Sequence, residues 1–95
     1  PKALFICCSD SRVNINEVTQ AEPGELFIIR NAGNIVPPHG TASAEGATIE
    51  YAVAVLGIEN IIVCGHSQCG AMGAILQPEQ LNDLPAAKAW FNHCE

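Results

Sequence analysis

Two clusters of chemically active side chains directly follow apolar segments of this sequence. They occupy residues 8–12 and residues 66–69. Two thiolates and one imidazole, from Cys8, Cys69 and His66, are good zinc ligands, and three protein ligands leave a fourth coordination position open. An open position is typical of catalytic zinc, whereas a structural site is closed by a fourth side chain. The residue types therefore predict a zinc site of catalytic character.

Asp10 and Arg12 are placed to support such a site. Two thiolates cancel the charge of Zn²⁺, so lowering the pKa of a bound water needs help from groups around the ligands. Asp10 can accept a hydrogen bond from a hydroxide on the metal, and Arg12 can hold Asp10 ionised through a bidentate pair. In the alternative, Asp10 itself binds the metal and closes the site. Without the neighbouring cysteine, such a pair would more often be a surface ion pair that contributes little to stability.

The other cysteines have simpler interpretations. The count of five is odd, and no secretory leader is evident, which argues against a disulfide framework. Cys7 alternates with Cys8 along a strand, so we expect it to point to the opposite face as a small core hydrophobe. Cys64 is interpreted in the same way. No role is assigned to His39, His93 or Cys94.

Three apolar runs must position the two clusters. Residues 3–7, 26–29 and 61–64 lack polar alternation, which favours strands that are buried on both faces of a parallel sheet. Helical patterns separate these runs, so we expect right-handed crossovers and an α/β fold with a parallel β-sheet core and flanking helices. Ligands bind at the C-terminal edge of such sheets. If the first and third strands are neighbours, the two clusters meet there.

The clearest helical pattern begins at Thr41 or Ser43, either of which can serve as the N-cap, and runs to about Leu56. Its apolar residues extend around more than one face, so more than one face should be covered. The sheet is expected to cover one face and a second subunit the other. Shorter helices are predicted around residues 14–19, 71–76 and 85–94.

Composition limits the function classes. The 95 residues contain 4 Lys+Arg and 10 Asp+Glu, so the net charge is 4 − 10 = −6, which argues against binding to nucleic acid. No apolar run approaches the roughly 18 residues that a membrane span needs. The chain starts at Pro1, directly before an apolar strand, and we interpret it as part of a longer protein. A cytoplasmic location is expected, with the carboxysome as an alternative.

Four segments, in this order and spacing, resemble the β-class carbonic anhydrases. They are Cys8-Ser9-Asp10-Ser11-Arg12-Val13, Gly24-Glu25-Leu26-Phe27, Arg30-Asn31-Ala32-Gly33-Asn34 and Gly65-His66-Ser67-Gln68-Cys69-Gly70. The resemblance extends from about Leu4 to Met72 and is closest to the cyanobacterial and plant-like branch. It implies that residues 1–95 are a partial catalytic domain, incomplete at both ends, of a fold whose sheet has four parallel strands.

The resemblance implies reversible hydration of CO₂ to bicarbonate and a proton by zinc-bound hydroxide, in a homodimer or higher homo-oligomer. By the family pattern, the zinc ligands are Cys8, His66 and Cys69. Asp10 and Arg12 form the pair that gates the zinc site and orients the hydroxide on the metal. The positions that line the substrate pocket in the plant-like branch match Phe27, Ala32 and Tyr51. The backbone N–H of Gly70 is expected to contact the substrate oxygen.

Two further hypotheses keep the zinc site and change its use. In the first, the enzyme hydrolyses carbon disulfide or a similar small heterocumulene, and differs only in the tunnel that leads to the metal. In the second, the domain is a non-catalytic assembly module. Asp10 then permanently closes the site, and the metal stabilises the fold.

Overall fold

The computed structural model describes residues 1–9 and 14–94. Asp10 and Arg12 lie outside these residues. Within the described residues, one parallel sheet contains β1 (Ala3–Cys8), β2 (Leu26–Asn31) and β3 (Ile61–Cys64), in the order β2-β1-β3. The expected parallel α/β fold is thus confirmed, and the first and third strands are neighbours.

Short helices connect and flank the strands. The α-helices are α1 (Ile15–Thr19), α2 (Ala44–Glu50), α3 (Gly70–Leu76) and α4 (Pro85–Phe91). A π-helical turn, Tyr51–Val55, continues α2, and 3₁₀ turns occupy Pro78–Leu81 and Asn92–Cys94. Among the described residues, none of these helices has the length and apolarity needed to cross a bilayer.

The two faces of β1 bury different cores. Leu4 and Ile6 point to one face, where Ile29, Ala52 and Ile58 complete the cluster. On the opposite face, Phe5 and Cys7 pack with Ile15 of α1. A third cluster at the C-terminal end joins α3 and α4 to the loop after β2 through Ile35, Leu81 and Phe91.

The expectation that all three apolar runs are fully buried is wrong for β2 and β3. All six residues of β1 are buried, because this strand is paired on both sides and covered on both faces. In β3, by contrast, Ile61 is 47% and Val63 57% exposed. β2 and β3 are the outer strands of the sheet, and the helices of the described chain cover little of β3. An apolar run predicts a strand, but its burial depends on what lies beside it.

The long helical pattern forms a shorter α-helix than expected, because the backbone widens into the π-helical turn after Glu50. Ala52 is fully buried against the sheet, whereas Tyr51 is 50% and Val55 64% exposed. One apolar face of this segment is therefore covered by the sheet, as expected. The other face stays open within the described residues, and a second subunit as its cover stays a prediction.

We expect Ser43→Ala to lower the free energy of unfolding by about 1 kcal/mol, the usual contribution of an N-cap. The Ser43 hydroxyl accepts a hydrogen bond from the Gly46 N–H at 3.0 Å, so alanine leaves that donor without its partner. Urea denaturation followed by circular dichroism measures the change. Thr41→Ala is the matched control, since Thr41 lies before the cap and is exposed. An equal loss in both variants would contradict the assignment of Ser43 as the cap.

Candidate metal centre

The structure brings Cys8, His66 and Cys69 together at the C-terminal edge of the sheet. One potential ligand atom from each residue lies within 4.8 Å of the others. Cys8 is the last residue of β1, and β1 pairs with β3 in parallel register, with Cys7 opposite Cys64. The turn that follows β3 therefore starts beside the end of β1. This pairing joins side chains that are about 60 positions apart in the sequence.

The turn after β3 presents His66 and Cys69 from a compact backbone. Gln68 takes a left-handed conformation, with φ of 55°. Cys69 then stands at the N-cap position of α3, and its carbonyl accepts the hydrogen bond from the Gly73 N–H at 3.0 Å. The start of α3 thus fixes Cys69, and the reversal at Gln68 keeps His66 close to it.

A backbone carbonyl selects the tautomer of His66. Its Nδ1 lies 2.9 Å from the carbonyl oxygen of Ser67, which can only accept a hydrogen bond. Nδ1 therefore carries the proton, and Nε2 carries the lone pair that can bind a metal. Histidine ligands usually donate their second N–H to a carbonyl or carboxylate in this way. Nε2 is buried from solvent.

The distance between the two sulfur atoms fits zinc. Cys8 Sγ and Cys69 Sγ are 3.8 Å apart. Two sulfurs that each lie about 2.3 Å from one tetrahedral zinc ion are separated by about 3.8 Å. The sulfur atoms are too far apart for a disulfide, whose bond is about 2.05 Å long, and neither cysteine forms one. Two thiolates and one imidazole are also a chemically suitable donor set for zinc.

Cys8 is held by the loop that follows β2. The Gly33 N–H donates a hydrogen bond to Cys8 Sγ at 3.4 Å, and the Arg30 Nε–H donates to the Cys8 carbonyl at 3.0 Å. Gly33 has φ of +85°, and a Cβ there would lie 2.9 Å from Met72 Cε. Only glycine allows the backbone to come this close to α3 in this conformation.

Asn31 organises the same loop. Its amide donates to the carbonyl of Ile35 at 2.8 Å and to the carboxylate of Glu45 at 3.1 Å, while its side-chain oxygen accepts from the Ile35 N–H at 2.8 Å. Sequence reasoning assigned no role to Asn31 or Gly33. The signal was the segment Arg30-Asn31-Ala32-Gly33-Asn34, where an amide and a glycine directly follow a strand.

The four predicted pocket residues lie in two places. Gly70 directly follows Cys69 and so adjoins the candidate metal-ligating group, which consists of Cys8, His66 and Cys69. Ala32 precedes Gly33, whose N–H contacts Cys8. Phe27 and Tyr51 stack on each other, with ring centroids 6.1 Å apart. Phe27 is in register with Leu4, four residues below Cys8. At about 3.3 Å per residue, this is about 13 Å along the strand.

Cys7 has the expected environment of a core residue. It is 2% exposed and packs with Phe5 and Ile15. Burial raises the pKa of the Cys7 thiol, although the nearby charge of Arg30 opposes the shift. A raised pKa keeps the thiol neutral at pH 7, which suits an apolar core. Cys64 packs at the edge of the same cluster and is only partly buried.

Comparison with known proteins identifies one family. Residues 3–95 match the family model described as carbonic anhydrase. The chain is 62% identical over 96 residues to a carbonic anhydrase of Pseudomonas aeruginosa, a match that covers 100% of this chain and 44% of that protein. The chain thus spans less than half the length of the curated relatives it matches.

Solved structures give the same result. The β-carbonic anhydrase CcaA is 56% identical, with a TM-score of 0.95 over 99% of this chain and 47% of that chain. One of two tetrameric β-carbonic anhydrases from Sordaria macrospora is 45% identical, with a TM-score of 0.74 over 80% of this chain and 38% of that chain. A carbon disulfide hydrolase is 24% identical, with a TM-score of 0.57 over 83% of this chain and 39% of that chain, and this likeness shows the fold alone.

We expect Cys8→Ala to lower the zinc content of the purified protein far below one ion per chain, because the variant loses one of three converging donors. Cys7→Ala is the matched control. It removes a neighbouring thiol from the opposite face of β1, so zinc should stay at the wild-type level while stability falls by about 1–2 kcal/mol. Elemental analysis after dialysis measures the zinc. Full zinc in Cys8→Ala would contradict the assignment of Cys8 as a ligand.

Proposed function

The chain belongs to the β-carbonic anhydrase family, and from this premise we propose that the protein catalyses reversible hydration of CO₂ to bicarbonate and a proton. The observation that carries the proposal is the convergence of Cys8, His66 and Cys69 within 4.8 Å at the C-terminal edge of the sheet. A parallel α/β sheet places its ligand sites at this edge.

Zinc is the cofactor of this family, and the three converging residues are proposed to hold it. When bound, zinc lowers the pKa of a water molecule so that hydroxide is supplied near neutral pH, a behaviour for which a carbonic anhydrase with three His ligands is the standard example. Two thiolates and one neutral imidazole bring a charge of −2, which balances the ion. The ligand set therefore suits a partly buried site, where an unbalanced charge would be costly.

Around the metal, the residues of the chain are proposed to orient the reactants. Asp10 accepts a hydrogen bond from the attacking water. This bond directs a lone pair of the water oxygen towards the carbon of CO₂. Arg12 keeps Asp10 ionised through a charge-assisted pair. The Gly33 N–H donates a hydrogen bond to Cys8 Sγ and withdraws negative charge from it. The sulfur therefore donates less charge to the metal, and the metal stays more electrophilic.

The pocket is proposed to be small and apolar, which suits a linear nonpolar substrate. Ala32 and Gly70 are next to the metal-ligating group in the same chain. Phe27 and Tyr51 lie about 13 Å further down the sheet. These two rings therefore line a pocket only where a second copy of the chain brings them to the metal.

A homodimer or higher homo-oligomer is proposed as the active form. The Sordaria relatives are tetrameric, and the π-helical turn exposes an apolar surface that includes Tyr51 and Val55. A cytoplasmic location is proposed as well, with the carboxysome as an alternative. No observation on the site favours carbon disulfide as the substrate.

Stopped-flow measurement of CO₂ hydration tests the proposal. The purified full-length protein should hydrate CO₂, and removal of zinc with a chelator should abolish this activity. Re-addition of zinc to the chelated protein is the control and should restore it. The absence of chelator-sensitive hydration between pH 7 and 9 would contradict the proposed function. Release of hydrogen sulfide from carbon disulfide, if faster than CO₂ turnover, would also contradict it.

Asp10→Ala separates the catalytic site from the closed, non-catalytic one. If Asp10 orients the attacking water, zinc content and melting temperature stay at their wild-type levels and kcat/KM falls by about a hundredfold or more. Asp83→Ala, at an exposed aspartate before α4, is the control and should change none of the three. A joint fall of zinc content and melting temperature in Asp10→Ala would instead identify Asp10 as a structural ligand.

A further inference from the structure

The peptide group between Ala32 and Gly33 is hydrogen-bonded at both ends. Its N–H, on Gly33, donates to Cys8 Sγ at 3.4 Å. Its carbonyl, on Ala32, accepts a hydrogen bond from the indole N–H of Trp90 at 2.9 Å. Because a trans peptide is planar, its N–H and C=O point in opposite directions and move as one unit. The indole of Trp90 and the sulfur of Cys8 are thus connected through one rigid group.

Trp90 reaches this peptide from a distant part of the chain. It is near the end of α4 (Pro85–Phe91), 58 positions after Ala32. Phe91, the next residue, is buried in the cluster that contains Ile35 and Leu81, and this packing anchors α4 against the loop. The ring of His93 contacts the indole edge to face, with centroids 5.4 Å apart. The indole is therefore held in place from several sides.

The other described contacts of the loop fix its path through neighbouring groups and do not act on this peptide plane. Asn31 pins the loop at Ile35, and Met72 of α3 lies against Gly33. A peptide plane can flip through opposite changes of ψ at one residue and φ at the next, while the chain around it hardly moves. Glycine at the second position makes such a flip easy, because both signs of φ are accessible to it. In the flipped state, the carbonyl of Ala32 would face the sulfur and the N–H would face away.

We propose that Trp90 is a positioning residue for the metal centre: it holds the Ala32 carbonyl and so keeps the Gly33 N–H directed at Cys8 Sγ. The inference rests on the proposed function, in that Cys8 is taken as a metal ligand. An N–H that donates to a thiolate stabilises the negative charge on sulfur and fixes its direction. Outer partners of this kind typically change metal affinity 10- to 100-fold. Loss of the indole N–H therefore acts on the metal without any contact to it.

Trp90→Phe tests the inference, because phenylalanine keeps an aromatic ring at this place and removes the donor. Cobalt(II) is the probe, added to the full-length protein after removal of zinc, since cobalt bound to thiolate gives a charge-transfer band in the near ultraviolet. A thiolate that loses its hydrogen bond donates electrons more readily. In Trp90→Phe we therefore expect this band to shift to longer wavelength. Because the sulfur also loses the group that fixes its direction towards the metal, we expect cobalt and zinc to bind about tenfold more weakly.

Phe91→Leu is the control for a purely structural effect. It shortens a buried side chain of the same helix but keeps it apolar, so α4 stays docked in its cluster and the indole N–H stays in place. We expect it to lower the melting temperature without shifting the cobalt band. An unchanged band and unchanged metal affinity in Trp90→Phe, at any melting temperature, would overturn the inference. An equal band shift in both variants would overturn it too.

The same experiment separates this inference from the proposed function. A wild-type protein that shows no thiolate-to-cobalt band would overturn the ligand assignment and the inference together. A wild-type protein that shows the band, with the expected shift in Trp90→Phe, supports the role of Trp90 even if the protein fails to hydrate CO₂.

Discussion

The parallel pairing of β1 between β2 and β3 is the constraint on which the candidate metal-ligating group of Cys8, His66 and Cys69 depends. It sets Cys8 opposite Asn31 on one side, and Cys7 opposite Cys64 on the other. Because all three strands run in the same direction, the loops after them leave from one edge and meet there. A slip of one residue along β1 would turn Cys8 into the core and place Cys7 at the candidate metal position. The register therefore decides which of two adjacent thiols faces the other ligands.

Backbone groups contribute as much to this arrangement as side chains do. The Ser67 carbonyl sets the tautomer of His66, and the Gly33 N–H directs the Cys8 sulfur. Both belong to turns in left-handed or glycine conformations, where the chain can bring an amide close to a ligand. Asn31 supports the loop that contains Gly33 by closing it on Ile35. The candidate site thus owes its geometry to loops that are short and internally hydrogen-bonded.

The exposed apolar residues of β3 and of the π-helical turn have the same cause. β3 is an outer strand, and Ala52 is the residue of the π-helical turn that is buried against the sheet. Ile61, Val63 and Val55 therefore stay exposed, although their sequence is as apolar as that of the buried central strand. An apolar sequence makes the burial of a strand or helix favourable. Burial occurs only where a neighbouring element packs against its apolar face. The open face of the π-helical turn is the surface on which the proposed oligomer would form.

The sequence alone determined where the strands and helices form and which side chains could bind a metal. Unbroken apolar runs predicted the strands, Ser43 was one of two candidates for the cap of the long helix, and thiolates with an imidazole indicated zinc. Only the tertiary structure decided which elements are neighbours, and hence that Cys8 meets His66 and Cys69. It also revealed the bonds of Gly33 and Trp90, which no local pattern encodes. The physical reason is range: strand and helix preferences act over a few residues, whereas a hydrogen bond across 58 positions exists only after the chain has packed.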